Sequence, residues 1–356
     1  MSASPASSAA PPRRALPLPG LPLLRRLGSV LATLLGLLAL TFAIGRVMPV
    51  DPVLSIVGPD ADRSTYEQVH AQLGLDQPIP VQFACYLGDL AQGDLGRALL
   101  SGNPVTEDIA RVFPATVELA TLALVLGTAL GVPLGVLAAA RRGRPADHVV
   151  RLVSLAGHST PVFWLSMMGL LVFYAWLGWS GGSGRVDLAY DGLVASRTGF
   201  LLVDATLAGE WEVLGSAVRH IALPAAILAL NAMAYIARMT RSFMLAQLTQ
   251  EYILTARVKG LSERAVLWRH AFRNCRVQLL TIVALTYGGL LEGAVLVETV
   301  FAWPGFGQYL TSSLMLGDMN AVMGSVLLVG LLFIGLNLLS DLLYQVFDPR
   351  TRVQRH

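Results

Sequence analysis

Three carboxylates lie in or beside long apolar stretches of the sequence, where an ionised side chain needs a specific reason to be present. Glu292 lies five residues from the end of its stretch, whereas Glu118 and Asp341 lie near the ends of theirs. Charged groups are costly at membrane depth, so they face protein, water or a polar ligand. Glu292 is a candidate for meeting a cationic ligand or for a hydrogen bond to another helix. Asn231 is a weaker candidate, and Glu118 and Asp341 are expected to reach interfacial water or a neighbouring arginine.

The sequence lacks the motif that binds nucleotide phosphates and the residue spacing that binds a metal ion. Lys259 is the single lysine and follows Val258, so the sequence has no G-x-x-x-x-G-K-[ST] phosphate loop. The six histidines include no i, i+4 pair and no neighbouring thiols that would complete a zinc site. We therefore predict no catalytic residue, no metal site and no cofactor in this chain.

The elements that must position these residues are membrane-spanning helices. Of the 356 residues, 54% are hydrophobic and only 14% are charged, whereas about a quarter of an average soluble domain is charged. A helix crosses the hydrocarbon core with roughly 20 apolar residues, and the apolar stretches lack strand-like alternation. The sequence thus predicts an all-α membrane protein with six spans, at 27–45, 119–140, within 152–184, 221–237, 277–297 and 319–340.

The basic residues predict the orientation, because Lys and Arg in short loops stay on the cytoplasmic side. With both termini inside, the 26 basic residues divide 19 inside to 7 outside. This asymmetry predicts a multi-pass protein of the inner membrane and gives no reason to invoke nucleic-acid binding. The predicted divisions are a disordered cytoplasmic tail (1–24), a first span (25–48), an extracytoplasmic segment (49–113), a membrane core (114–345) with an inner loop (238–276), and a cytoplasmic tail (346–356).

A cleaved secretory signal is the competing interpretation of the N-terminal region, which has a basic segment before its apolar stretch. That stretch is longer than a usual signal core, and Gly45, Arg46 and Val47 do not resemble a small-residue cleavage site. An uncleaved first span is favoured. Cys85 and Cys275 fall on opposite sides of the predicted membrane, so no disulfide joins them.

The inner loop is the most informative connection. Helix formers run from residue 239 to 259, Gly260 suits a left-handed stop, and Ser262 suits the cap of a second helix with Glu263 at its positive end. The pattern predicts a helix-turn-helix that projects from the membrane. Its basic, polar surface fits either a protein partner or anionic lipid, and physical chemistry alone leaves both open.

The same loop carries a sequence motif. It resembles the EAA loop of ATP-binding-cassette importer permeases, in the branch that serves dipeptides, oligopeptides and nickel. The motif residues are Glu251, Tyr252, Thr255, Ala256, Arg257, Lys259, Gly260, Leu261, Ser262, His270, Arg273 and Asn274. Matching pieces occur in order elsewhere, at 73–78, 93–96, 160–164 and 298–305. The sequence departs from the pattern of that family in one respect, since it has no proline between Asn274 and the fifth span.

The resemblance implies a type I importer fold in which the inner loop couples to a separate ATPase. Coupling residues would be Glu251, Tyr252, Thr255, Ala256, Arg257, Lys259, Gly260, His270, Arg273 and Asn274. Implied partners are a second homologous permease, two ATPases that bind ATP and Mg, an extracytoplasmic binding protein and membrane lipid. The binding protein would dock on 49–113 and on the loop around Trp303.

The implied cargo is a peptide or a nickel chelate. Glu292 and Asn231 are tentative residues of the passage. The alternative is a proton-coupled secondary transporter that uses Glu292 and Asp341 as proton sites, although the sequence shows no internal repeat of the kind such transporters carry.

Overall fold

The computed structural model describes residues 21–47, 52–58, 60–72, 74–99 and 101–347. Most of the two predicted tails therefore lies outside the described residues, as does the side chain of Asp341. The first helix begins at Leu21 and the last continues to Phe347, so both extend a few residues into the regions predicted as tails.

The described chain is helical, with a single isolated bridge between Arg97 and Pro104 as its extended pairing. Its helices are α1 (Leu21–Val47), α2 (Pro52–Val57), α3 (Arg63–Gln72), α4 (Ile79–Ala91), α5 (Val105–Ala140), α6 (Pro145–Ser159), α7 (Val162–Gly169, continued by a π-helical stretch Leu170–Trp176), α8 (Leu201–Ala208), α9 (Trp211–Leu248), α10 (Glu251–Val258), α11 (Glu263–Ala265, continued by a π-helical stretch Val266–Ala271), α12 (Phe272–Phe301), α13 (Phe306–Leu316) and α14 (Met319–Phe347).

The predicted membrane class is confirmed. Five stretches are long and apolar enough to cross a bilayer, and they lie in α1, α5, α9, α11–α12 and α14. A bent pair, α6 and α7, whose axes meet at 96°, makes a sixth span if the two helices are counted as one. Pro161 explains the bend: it caps α7 and holds Thr160 extended at ψ 127°, as expected for a residue that precedes proline.

The outer segment predicted at 49–113 contains α2, α3 and α4, and α5 begins inside it at Val105. Phe83 of α4 packs on Phe42 of α1, with ring centroids 5.2 Å apart. Leu87 and Leu90 of α4 join the same cluster. These contacts fold the segment back onto the first and last spans.

The centre of the fold is the crossing of α5 and α9. Gly127, Gly131 and Gly135 face α9 at four-residue spacing, which places them on one side of α5. A β-carbon on Gly135 would lie 2.6 Å from the carbonyl oxygen of Ala237 and 2.6 Å from Thr240 Cβ. The two backbones therefore touch along a ladder in which a side chain does not fit, the arrangement that small residues permit in membrane helices.

Adding one methyl group tests the glycine ladder. We expect Gly135→Ala to lower the free energy of unfolding by about 1–3 kcal/mol, because overpacking forces the backbones apart. Thermal melting of the purified chain in detergent measures the change. Gly335→Ala is the matched control, since a β-carbon there meets nothing within 4 Å. Equal melting temperatures for the two variants would contradict the close contact.

Candidate functional site

The predicted helix-turn-helix is present, although its first helix is not continuous. α9 ends at Leu248, Gln250 is extended (ψ 149°), and α10 starts at Glu251. Thr249 Oγ1 and Gln250 Nε2 both donate to the carbonyl of Ala246, at 3.0 and 3.2 Å. Such bonds compete with helix propagation. The prediction of one helix over 239–259 was therefore wrong, and we call residues 249–265 the elbow.

The turn of the elbow matches the sequence prediction. Gly260 follows α10 in the left-handed region (φ 75°), and Leu261 N–H donates back to the carbonyl of Ala256 at 3.3 Å. This is a glycine-terminated helix end. Ser262 then caps the next helix, because its hydroxyl accepts from Ala265 N–H at 3.4 Å. Glu263 lies in the first turn beyond the cap.

A buried cluster holds the elbow against the spans. Ile253 and Ala256 of α10 pack with Met244 of α9, Val136 of α5 and Val266. Ala256 is thus beneath the surface of α10, where its small side chain allows close packing. The π-helical stretch after the elbow continues into α12, which runs unbroken from Phe272 to Phe301, so the segment without a proline after Asn274 is one continuous helix. The elbow is joined rigidly to two spans.

The outward face of the elbow combines apolar and charged groups. Leu254, Val258 and Leu261 are exposed, Val258 by 81%, and so is Trp268 in the π-helical stretch that follows the elbow. Arg257 pairs with Glu263 through two hydrogen bonds of 2.9 and 3.3 Å. The remaining predicted residues are placed as follows: Glu251, Tyr252, Thr255, Lys259, Gly260, Arg273 and Asn274 are exposed, and His270 is half-buried. An exposed apolar patch of this kind is typical of an interaction surface.

An ion pair that the sequence analysis did not identify braces the same end of the molecule. Arg241 of α9 donates to both oxygens of Asp147 on α6, at 2.6 and 2.8 Å. Gly143 N–H, in the turn between α5 and α6, donates to the same carboxylate at 3.0 Å. Asp147 is buried. One carboxylate therefore links α5, α6 and α9 close to the elbow.

At the opposite end, Glu298 organises the turn from α12 to α13. It is fully buried and accepts from the Thr116 hydroxyl at 2.6 Å and from Gly307 and Gln308 N–H at 2.7 and 3.1 Å. Those amides belong to the first turn of α13, whose orphan donors are thus satisfied. Sequence reasoning noted Glu298 only within a motif, because its partners are distant in sequence.

Glu118 has the neighbouring arginine that the sequence analysis expected. Its carboxylate accepts from Arg185 and from Leu202 N–H (2.8 Å) at the start of α8. The Arg185 guanidinium lies 5.5 Å from the centroid of the Trp303 ring. Trp303 is itself buried and donates to the Ala115 carbonyl at 3.1 Å. The loop predicted to dock a binding protein therefore does not present Trp303 to solvent.

Asp204 fixes the end of the long loop before α8. It is buried and accepts from Thr198 (2.8 Å) and from the backbone N–H groups of Arg197 (3.1 Å) and Gly199 (3.2 Å). Burial alone raises the pKa of this carboxyl, but these hydrogen bonds outweigh it and hold the pKa below its ordinary value. The loop is therefore anchored by a carboxylate that stays ionised at neutral pH.

Glu292 lies in the middle of an exposed stripe on α12. Leu285, Gly289, Glu292, Leu296 and Thr299 are all exposed and recur at alternating four- and three-residue spacing, which aligns them on one helix face. No hydrogen bond or ion pair reaches the Glu292 side chain from the described part of the chain. Asn231 lies half-buried on α9.

Comparison with known proteins places this chain in a family. The family described as the binding-protein-dependent transport system inner membrane component matches residues 131–353, and its N-terminal family matches 22–120. The chain belongs to this family. It is an inner-membrane transport subunit rather than an enzyme.

Individual relatives are similar over nearly their whole length. The di/tripeptide transport system permease DppB of Pseudomonas aeruginosa is 44% identical, with 93% of this chain and 98% of the relative covered. The probable D,D-dipeptide transport system permease DdpB of Escherichia coli is 43% identical over 88% and 92%. The dipeptide permease DppB of Alkalihalophilus pseudofirmus is 36% identical over 92% and 98%.

The Glu298 network gives a prediction about stability. Thr116 donates to Glu298 and also accepts Phe306 N–H at 2.8 Å, so Thr116→Val leaves buried polar groups unpaired. We expect the free energy of unfolding to fall by about 1–3 kcal/mol. Thermal melting in detergent is the measurement, with Thr286→Val as control because its hydroxyl bonds only to its own helix. A Thr116→Val protein as stable as the control would show that the network contributes little.

Proposed function

We propose that this chain is one transmembrane subunit of an ATP-binding-cassette importer that carries short peptides inward. The elbow supports this assignment best, because an exposed apolar and charged turn is packed rigidly onto α9 and α12. In this proposal one of two separate ATPases, which bind ATP and Mg, docks on the elbow. A second homologous permease lies beside the chain, and a binding protein docks at the opposite end.

The elbow would act as a lever. α10 is held to α9, α5 and the π-helical stretch before α12 by one buried cluster. Well-packed interiors transmit displacement rather than absorb it. When the ATPases close, movement of α10 would therefore reorient α9 and α12, which run from the elbow to the far end of the molecule. Rigid-body rotation of this kind is a common switching movement.

The proposed cargo follows from the relatives. Their names specify dipeptides, tripeptides and D,D-dipeptides, so we propose a short peptide in preference to a nickel chelate. Membership of a binding-protein-dependent family also favours the importer over a proton-coupled secondary transporter. Selectivity would be shared with the binding protein.

Gly260 provides a test of the lever. Gly260→Asp places a charged side chain at the tip of the exposed turn, where a β-carbon would meet nothing within 4 Å, so the chain should still fold. We expect peptide uptake by cells to fall more than tenfold and the ATPases to copurify less. Normal uptake by this variant would remove the coupling role of the elbow.

The matched control is Gly209→Asp. Gly209 ends α8 with nearly the same left-handed conformation (φ 73°) and an equally open surrounding, at the other end of the molecule. Uptake through this variant is expected to be close to normal. Both changes add the same backbone strain and the same charge. A difference in peptide uptake between the two variants therefore reports the effect of placing the change in the elbow.

The proposed orientation is testable by cysteine labelling. In a chain with Cys85 and Cys275 replaced by serine, single cysteines are introduced at Val258 and at Leu188, which are 81% and 94% exposed. A membrane-impermeant maleimide should label Leu188→Cys on intact spheroplasts and Val258→Cys only after lysis. The reverse pattern would place the elbow away from the ATPases and end the proposal.

We further propose that the Glu292 stripe faces the second permease across the passage, with Asn231 as a weaker pathway residue. An exposed carboxylate within a span is unsuited to lipid, where charged side chains are costly. Glu292→Leu should therefore reduce peptide uptake severalfold while the second permease still copurifies. Leu296→Ala, one turn along the stripe, is the control. Unchanged uptake with Glu292→Leu would show that the carboxylate does not line the passage.

A further inference from the structure

A cavity of about 660 Å³ opens at the end of the molecule opposite the elbow. Its walls come from the loop between α7 and α8, from the end of α7 and from the turn after α12. Asp187, Asp191, Arg185, Tyr174, Tyr190 and His220 supply its polar lining. A volume of this size lies within the range of small-molecule sites, about 300–1,000 Å³.

His220 presents a hydrogen-bond acceptor to this cavity. Its side chain is 3% exposed, and Nδ1 lies 2.9 Å from the carbonyl oxygen of Ser216. A carbonyl oxygen only accepts, so Nδ1 carries a proton. In the neutral tautomer with that proton, Nε2 keeps its lone pair. Gly181 packs against the ring so closely that a β-carbon would lie 2.4 Å from it, which fixes the ring in place.

Asp187 presents a second acceptor beside the first. Its Oδ2 accepts the Ser216 hydroxyl at 2.8 Å, and its Oδ1 lies 3.7 Å from His220 Nε2. That separation exceeds a hydrogen bond. With the ring in its neutral tautomer, both atoms are acceptors and do not bind each other. A donor with two N–H groups fits between them, about 2.9 Å from each.

The charge of the lining selects a cation. Asp187 and Asp191 both line the cavity, and the Asp191 side chain makes no hydrogen bond within the described residues. Arg185 carries the one formal positive charge among the lining residues, and its Nη2 already donates to Glu118 and to the Gly199 carbonyl, while its buried Nε has no partner among the described residues. The two unpaired acceptors and the excess negative charge together favour a primary ammonium group over an anion or a neutral amide.

We propose that this cavity binds the α-ammonium group of a short peptide, between Asp187 Oδ1 and His220 Nε2, before the peptide enters the passage. The inference rests on the proposed function and adds to it a cargo-binding site within the permease itself. Tyr174 and Tyr190 offer aromatic surface for the adjoining side chain of the peptide.

Photo-cross-linking of the assembled importer tests the site. The complex of both permeases and both ATPases, in nanodiscs and without binding protein, is irradiated with glycyl-photoleucine or with its N-acetylated form. Mass spectrometry then maps the labelled residues. We expect the free dipeptide to label residues 174–201 at least tenfold more than the acetylated form, which lacks the ammonium group.

Asp187→Asn is the decisive variant. Its amide oxygen still accepts from Ser216, and its NH₂ donates to His220 Nε2, so the loop keeps its bonds while the pair of acceptors is lost. Labelling should fall at least tenfold, and by about threefold in Asp191→Asn. Glu212→Gln, at an exposed carboxylate outside the cavity, should leave labelling unchanged.

Several outcomes would overturn the site. These are equal labelling by the acetylated probe, full labelling of Asp187→Asn, or labelling that occurs only after the binding protein is added and does not depend on the ammonium group. Uptake of glycyl-photoleucine by cells with the wild-type importer is measured separately. Absence of that uptake would count against the peptide assignment. The labelling pattern separately tests whether the cavity binds the ammonium group.

Discussion

The contact between α5 and α9 sets the geometry of the whole molecule. In lipid there is little hydrophobic gain from bringing helices together, so association depends on close backbone packing and polar bonds. Gly127, Gly131 and Gly135 supply that closeness along three turns of α5. The two helices are 36 and 38 residues long. Features at both ends of the molecule are therefore positioned relative to one rigid pair.

Polar interactions are concentrated at the two ends of this pair. Near the elbow, Asp147 binds Arg241 and the turn after α5. At the other end, Glu118 and Glu298 bind the first turns of α8 and α13. Each buried carboxylate thus satisfies donors of a loop or helix start that would otherwise be orphaned. Among the described residues, the middle of the pair is held by packing, and the ends are held by charge-assisted hydrogen bonds.

The sequence predicted what depends on local pattern. Apolar length gave the spans, and Gly260 and Ser262 gave the turn of the elbow, because a left-handed glycine and a capping serine act within a few residues. The break at Thr249 and Gln250 was missed, since ordinary helix propensity there is adequate and side-chain bonds to Ala246 decide the outcome. Glu298 and Asp147 were missed for a different reason. Their partners lie far away in sequence, and only the tertiary packing brings them together.

The energetics of the isolated chain argue that it is one part of a larger assembly. Within the described residues, Glu118, Asp147 and Glu298 are buried and bonded, whereas Glu292 lies exposed within a span with apolar neighbours on its stripe. A carboxylate in that position is unfavourable against lipid, and the described chain offers it no donor. The apolar patch on the elbow is equally uncovered outside the membrane. Both surfaces become favourable once other subunits or an aqueous passage cover them, which is what a family of transport-system components requires.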